Sequence, residues 1–286
     1  MTESAPKVPS ASPRLVAVEL GLWISLYGLY LAVREFSIAS ADEAMANARD
    51  LIDAEHALGL LQETRLQDAL APLDDVLAAY YLLGFAPLIV GVLGWLLMRH
   101  PTVYRELRTV LLVSIGLASI GYVALPVAPP RLVPELGIAD TVGLSAHHDH
   151  GSFAGIDFNP YAAMPSMHVG WSILVGLFGF RAAASLLGRW FFVAHPAVMA
   201  LAVTVTGNHY ILDSVAGATV ALVAVALLAA LQAGSRLRRP LARALLLERG
   251  SQPERDRAAD APSGFDSLAS SGWSLRSRAP PQSLCC

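Results

Sequence analysis

Apolar positions along the chain gather into long runs separated by short polar stretches. Six of these runs approach the roughly 20 residues that a membrane helix needs. They are approximately Leu15–Val33, Val76–Met98, Leu107–Pro126, Met167–Ala184, Trp190–Thr206 and Ile211–Ala233, with Arg181 interrupting the fourth near its end. The pattern predicts an all-α integral membrane protein built as a six-transmembrane-helix bundle. The first run is too long for the apolar core of a signal peptide and lacks an A-x-A cleavage site, so it reads as a helix that stays. Between the first two runs, Ala44, Ala48, Leu51, Ile52 and Leu58 recur at helical spacing. That stretch predicts one or two amphipathic helices on the outer surface, serving either as a lid or lipid guide or as a packing collar.

Basic residues set the expected orientation. Lys7 and Arg14 precede the first run; Arg99, Arg105 and Arg108 lie around the second connection, and Arg181 and Arg189 around the fourth. Arg236, Arg238, Arg239 and Arg243 follow the sixth run. The alternate connections are poor in them: residues 127–166 hold only Arg131, and the turn between the fifth and sixth runs holds none. In the long connection 34–75, Arg34, Arg49 and Arg65 are outnumbered by acids. Both termini are therefore expected in the cytoplasm, with the amphipathic helices and the loop 127–166 extracytoplasmic. The domain reading is a cytoplasmic segment 1–14, a membrane domain 15–234 and a tail 235–286. The tail starts basic, which suits anionic lipid, and residues 250–286, rich in Ser, Pro, Ala and Arg, are expected to be disordered.

Composition agrees with a membrane protein. The 286 residues are 55% hydrophobic and only 15% charged, with mean hydropathy +0.51; a soluble domain carries roughly 25% charged residues. The net charge of −3 identifies no partner, and no nucleotide loop or nucleic-acid motif is present. The only cysteines, Cys285 and Cys286, close the chain, so no disulfide framework holds the fold.

Two stretches carry candidate chemistry. In Thr206-Gly207-Asn208-His209-Tyr210-Ile211-Leu212-Asp213, a histidine and a carboxylate stand four residues apart at the start of the sixth run. If the helix begins there, His209 and Asp213 share a face. An aspartate that accepts the proton of one imidazole nitrogen fixes the tautomer and frees the other nitrogen. The unpaired N–H groups of the helix start also suit a phosphate. Upstream, Tyr161-Ala162-Ala163-Met164-Pro165-Ser166-Met167-His168-Val169-Gly170-Trp171 places Ser166 and His168 at a second helix start, after a proline suited to a first turn. Arg131 follows Val127-Ala128-Pro129-Pro130, which cannot continue the third helix, and so falls at the membrane boundary. A guanidinium there suits bidentate phosphate binding. The cluster His147-His148-Asp149-His150 lacks the spacing of a preformed metal site and reads as a solvated loop. Glu19 reads as reaching the cytoplasmic interface, and His195, before Pro196, as a buried packing or kink residue.

The P-S-x-H of residues 165–168 and the H-x-x-x-D of 209–213 resemble two of the three signatures of the type-2 phosphatidic acid phosphatase superfamily of lipid phosphatases and phosphotransferases. The resemblance runs from about residue 15 to about 234. The wording Val127-Ala128-Pro129-Pro130-Arg131 and Gly207-Asn208-His209-Tyr210 is more similar to the branch that includes fungal inositol phosphorylceramide synthases. Two departures stand out. Val203 occupies the place where the phosphatases usually carry an arginine, six residues before the second histidine. The first signature, a lysine followed by Arg-Pro, has only Pro130-Arg131 as its counterpart.

The resemblance implies phosphoryl or phospho-headgroup transfer from a lipid phosphate or phospholipid. His209 would be nucleophile or base, Asp213 would orient it, and His168 would protonate the leaving oxygen. Arg131, Ser166 and Asn208 would hold phosphate oxygens, with no metal or other cofactor needed. A hydroxyl acceptor makes the chain an inositolphosphotransferase-like enzyme, and water makes it a lipid phosphate phosphatase. A non-enzymatic lipid transporter is the alternative from another class. The expected location is a bacterial plasma membrane with the site extracytoplasmic; the partners are the lipid substrate and membrane lipids, with no nucleic acid.

Overall fold

The computed structural model describes residues 12–36, 40–143, 151–153, 156–158 and 161–250. Its elements are α1 (Pro13–Phe36), α2 (Ala41–Leu58), α3 (Glu63–Leu70), α4 (Asp74–Leu83), α5 (Ala86–Arg99) and α6 (Pro101–Ala124). After these come β1 (Gly151–Phe153), β2 (Ile156–Phe158), α7 (Met167–Ala182), α8 (Leu186–Val205) and α9 (Ile211–Gly250), with short 3₁₀ turns at Ala71–Leu73, Pro130–Leu132 and Pro134–Leu136. Apart from the antiparallel pairing of β1 with β2, every regular element among the described residues is helical. The chain divides into two units, 1–234 and 235–286. The described part of the second unit, 235–250, is helical.

Local chemistry accounts for the helix ends. Ser40 Oγ accepts the Glu43 N–H at 3.1 Å and starts α2, whose first turn carries Asp42 and Glu43 against the positive dipole end. Gly59, at φ +70, closes the same helix in the left-handed conformation. Ser185 caps α8 in the same manner through the Gly188 N–H.

The predicted run Val76–Met98 is not one straight helix. Pro87 lies in the first turn of α5 and offers no N–H to the carbonyl of Leu83, where α4 ends. The segments Glu63–Leu83 and Ala86–Arg99 are bent by 44°. Among the described residues, three helices are long and apolar enough to cross a membrane: α6, α8 and α9 over Ile211–Ser235. The bent pair makes up to four. The six-run expectation is thus reached only in part. The fourth run became α7, apolar but 16 residues long, or about 24 Å at 1.5 Å per residue.

Helix α7 lies among the others, and its small residues allow close approach. A Cβ on Gly179 would sit 2.3 Å from the Phe192 ring of α8, and one on Gly170 would sit 2.7 Å from the Gly217 carbonyl oxygen of α9. Close backbone contact of this kind is how helices gain packing where no hydrophobic effect drives them together. Leu96, Leu107, Leu111, Leu174, Val175 and Phe178 form the core beneath. Large apolar side chains such as Ile24, Ile120, Leu187 and Leu222 stay exposed, as a lipid-facing surface requires.

Glu19 does not reach an interface. It is buried, accepts a hydrogen bond from the Tyr104 hydroxyl at 2.8 Å and pairs with Arg108. His195 is buried as expected, within hydrogen-bond distance of the Tyr80 hydroxyl (2.7 Å). Arg181, in the last turn of α7, pairs with Glu106 at 2.8 Å.

The amphipathic stretch forms α2 and α3, and both are tied down at the motif end of the bundle. Ala44 and Ala48 pack with Val127, Ala128, Val133, Ala163 and Tyr210. Asn47 donates to the Pro126 carbonyl at 2.8 Å, and Ala128 N–H donates to the Ala44 carbonyl at 3.1 Å. The Gln67 amide donates to the Ala139 and Val205 carbonyls at 2.9 and 2.7 Å and accepts the Ala139 N–H at 2.8 Å. Of the predicted stripe only Leu58 stays outside the packing, exposed beside Gly59. These bonds make the stretch a collar rather than a free flap.

Candidate active site

The turn between α8 and α9 builds one wall. Val203 is fully buried, and its carbonyl accepts both the Asn208 and His209 N–H groups at 3.0 and 3.1 Å. Gly207 holds φ +68, and a Cβ there would lie 2.7 Å from Ile138 Cγ2 and 3.1 Å from Arg131 Cβ, so both backbone and space demand glycine. Arg131 N–H donates to the Gly207 carbonyl at 3.0 Å, which fixes the 127–133 loop against this turn. Asn208 Nδ2 donates to Thr206 Oγ1 at 2.8 Å, and its Oδ1 accepts from the Arg131 guanidinium.

The first turn of α7 builds the opposite wall. The two walls are joined by the backbone: Ser166 N–H donates to the Asp213 carbonyl at 3.0 Å. His209 Nδ1 lies 3.3 Å from Asp213 Oδ2, and His209 Nε2 lies 3.3 Å from His168 Nδ1. The same Asp213 oxygen accepts the Tyr210 N–H at 3.0 Å. Asp213 is fully buried and His209 nearly so. An imidazole held this way keeps its proton toward the carboxylate on Nδ1 and presents a lone pair from Nε2.

His168 is held by two rings from the α4–α5 bend: Tyr81 stacks at a centroid distance of 4.6 Å, and Phe85 lies tilted at 4.1 Å. A cavity of ≈130 Å³ opens over the histidines, lined by Tyr81, Phe85, Tyr122, Arg131, His168 and His209 with neighbouring backbone and apolar groups. Asn208 also lines it. Ser166 does not. It is fully buried, and its hydroxyl has no hydrogen-bond partner among the described residues.

A family comparison matches residues 49–227 to the PAP2 superfamily. The chain belongs to that superfamily. No curated protein and no solved structure matches it. PAP2 membership, together with the apolar helices, makes this an integral membrane protein and points to phosphatase- or phosphotransferase-type lipid chemistry.

Within this PAP2 chain, one sequence expectation about the phosphate field needs correction. The opening N–H groups of α9 do not face an empty pocket. Ile211 N–H donates to Glu63 Oε1 at 3.1 Å and Leu212 N–H to Glu55 Oε1 at 2.6 Å, while Tyr210 N–H is taken by Asp213. A buried helix start must satisfy its orphan donors locally, and the collar supplies the acceptors. Ser166, the N-cap of α7, makes no side-chain capping bond among the described residues.

Position 203 brings no cation near the site, because Val203 packs with Val169 and Met199 beside Tyr81 and Phe85. The guanidinium that borders the cavity is Arg131. His147, His148, Asp149 and His150 lie outside the described residues. Among those described, no group of three or more His, Cys, Asp or Glu is placed to hold a metal.

Glu55, Glu63, Tyr81, Phe85 and Tyr122 were not found from the sequence. One of them had a signal: Glu55 falls seven residues after Ala48 and four after Leu51, so it stands on the apolar stripe of α2. An acid on a buried stripe demands a partner.

Proposed function

We propose that this PAP2 protein transfers a phosphoryl or phospho-headgroup from a membrane lipid to a hydroxyl acceptor, as the resemblance to the inositol phosphorylceramide synthase branch suggests. The observation that carries the proposal is the chain of contacts from Asp213 through His209 to His168 at the floor of a cavity bordered by Arg131.

The substrate phosphate enters at the point where the two rings meet and replaces their contact. Nε2 of His209 forms a bond to phosphorus as the bond to the leaving oxygen breaks, and protonated His168 gives that oxygen its proton. The acceptor hydroxyl then attacks phosphorus, the P–N bond breaks, and His168 takes the hydroxyl proton, which restores both histidines. Asp213 balances the charge that develops on His209. Arg131 and Asn208 hold the equatorial oxygens, and the start of α7 adds its dipole. The chemistry requires no metal in this reading.

The proposal also sets the chain in a bacterial plasma membrane with six spans, both termini cytoplasmic and the collar and cavity extracytoplasmic. The arginine distribution supports the orientation. The experiment is to incubate purified protein in vesicles with a panel of radiolabelled lipid phosphates and phosphatidylinositol, with and without an acceptor alcohol. Label in a new phosphodiester supports transfer. Label only in inorganic phosphate, undiminished by alcohol, makes the protein a lipid phosphate phosphatase. Binding without any turnover, unaffected by His209→Ala, would make it a carrier and sink the enzymatic reading.

A further inference from the structure

The collar holds two acids that the proposed chemistry does not use. Glu55 on α2 is fully buried and Glu63 at the start of α3 is 1% exposed. Each spends one oxygen on the start of α9, as Glu55 Oε1 accepts from Leu212 and Glu63 Oε1 from Ile211. The other oxygen of each, Glu55 Oε2 and Glu63 Oε2, is buried with no donor among the described residues. Two carboxylates buried on adjacent N–H groups of one helix start are costly when both are ionised, and one proton shared between them removes the repulsion.

We propose that Glu55 and Glu63 are positioning residues that share one proton and clamp the first N–H groups of α9, holding Asp213 and His209 in register with His168. The inference rests on the phosphotransfer reading for its kinetic consequences, though the shared proton does not depend on it.

Several features converge on it. The groups that face Glu55 are Glu63 from α3, Asp213 from α9 and the neighbouring Tyr210; Glu135, beyond them, acts on Tyr210. All are acids or a phenol. Burial first, then the hydrogen bond with Glu63, pushes the Glu55 carboxyl up to about 8. Burial and the charges of Asp213, Glu55 and Glu63 likewise raise the Tyr210 phenol. The clamp acts one and two residues before Asp213, so loss of either bond loosens the start of the helix that carries Asp213. Ionising the second carboxyl would also place an extra negative charge beside a site that must receive phosphate. The clamp therefore works in its singly protonated form.

The test uses the full chain in lipid vesicles. Infrared difference spectra of the wild type should show a protonated-carboxyl band that disappears as pH rises through about 8, and Glu55→Gln should lack that band. NMR of isotope-labelled histidine should show the His209 tautomer signal changing over the same pH range in the wild type and not in Glu55→Gln. The glutamine keeps the acceptor for Leu212 and replaces the shared proton with an amide donor, so this variant folds and retains its neutral-pH turnover while losing the high-pH fall of the wild type. Glu63→Ala should lower kcat with KM little changed. A wild type without a titrating carboxyl band, or a Glu55→Gln variant with the same high-pH fall as the wild type, would overturn the shared proton. A His209 signal that ignores the titration would overturn the positioning role. If the wild type turns over no lipid phosphate at all, the phosphotransfer reading fails, and the infrared and histidine signals still decide the clamp.

Discussion

Gly217 tests whether the two motif-bearing helices must touch for the site to exist. A Cβ added there would lie 2.0 Å from the Ser166 carbonyl oxygen and 2.9 Å from its carbon. Real Cβ contacts essentially never fall under 3.0 Å, so the first turn of α7 and the second turn of α9 must separate by about 1 Å. Both partners are backbone, and no side-chain rotation relieves the clash. The displaced residue carries three of the site's constraints. Its N–H donates to Asp213, its carbonyl accepts from Gly170, and His168 follows two residues later. Overpacking of this sort costs about 1–3 kcal/mol of stability, and misplacing a reacting group by about 1 Å costs on the order of 10²-fold in rate. Gly217→Ala is therefore expected to stay folded with a lowered thermal midpoint and to lose on the order of 10²-fold in turnover. The assay compares thermal midpoint and lipid-phosphate turnover with those of Gly94→Ala on α5, where nothing lies within 4 Å of the added carbon and the change should be neutral or slightly stabilising. Wild-type midpoint and turnover in Gly217→Ala would refute the claim that the α7–α9 contact sets the histidine geometry.

Three further outcomes follow from the same geometry. His168→Ala should cost on the order of 10²–10⁴-fold in kcat and recover with a substrate whose leaving group needs no proton, whereas His209→Ala stays inactive on both; equal rescue of the two variants would reverse the assigned roles. Arg131→Lys keeps the charge but loses the planar fork that also donates to Asn208, so lipid-phosphate KM should rise more than kcat falls, and an unchanged KM counts against Arg131 as a phosphate ligand. Folded Glu55 keeps its proton to about 8 against 4.5 for the free side chain; between those values the folded chain binds a proton the unfolded chain has released, so stability falls as pH rises across that window. The thermal midpoint of Glu55→Gln should decline less over this window than that of the wild type, and parallel declines would exclude Glu55 as the source.

The two histidines and Asp213 were legible because their spacing converts directly into geometry. Four residues on one helix bring His209 to Asp213, and two motifs at the starts of apolar runs bring His168 to the same end of a bundle. Arg131 was legible for a related reason, since α6 stops at Ala124 just before Pro126 and the proline-rich loop that follows cannot resume the helix, which leaves the guanidinium beside the cavity. Contacts made across the fold were not. Tyr81 and Phe85 reach His168 only because Pro87 bends the second run, and hydropathy averages over such a bend. Glu55 and Glu63 sit in a stretch where acids outnumber bases, so composition reads them as a solvated face. Only the position of Glu55 on the stripe of Ala44, Ala48 and Leu51 sets it apart, and nothing local tells that the waiting partner is the backbone of Leu212.

That partner changes how the phosphate field is built. Two helix starts beside one cavity suggested two positive dipole ends aimed at one anion. The α9 start instead spends its donors on carboxylates, which hold it still, whereas Ser166 leaves the α7 start without a side-chain cap among the described residues. The division follows from what each helix carries. Helix α9 bears His209 and Asp213 at its mouth, so in the proposed reading the attacking nitrogen benefits from the rigidity that the two carboxylates give this helix start. The proposed phosphate needs donors and positive charge on its other side, the part this reading gives to α7, Arg131 and Asn208. In the proposed reading the acids of the collar therefore stand behind the base, on the start of α9, while Arg131 stands on the cavity side, so the two charges act from different sides of one histidine.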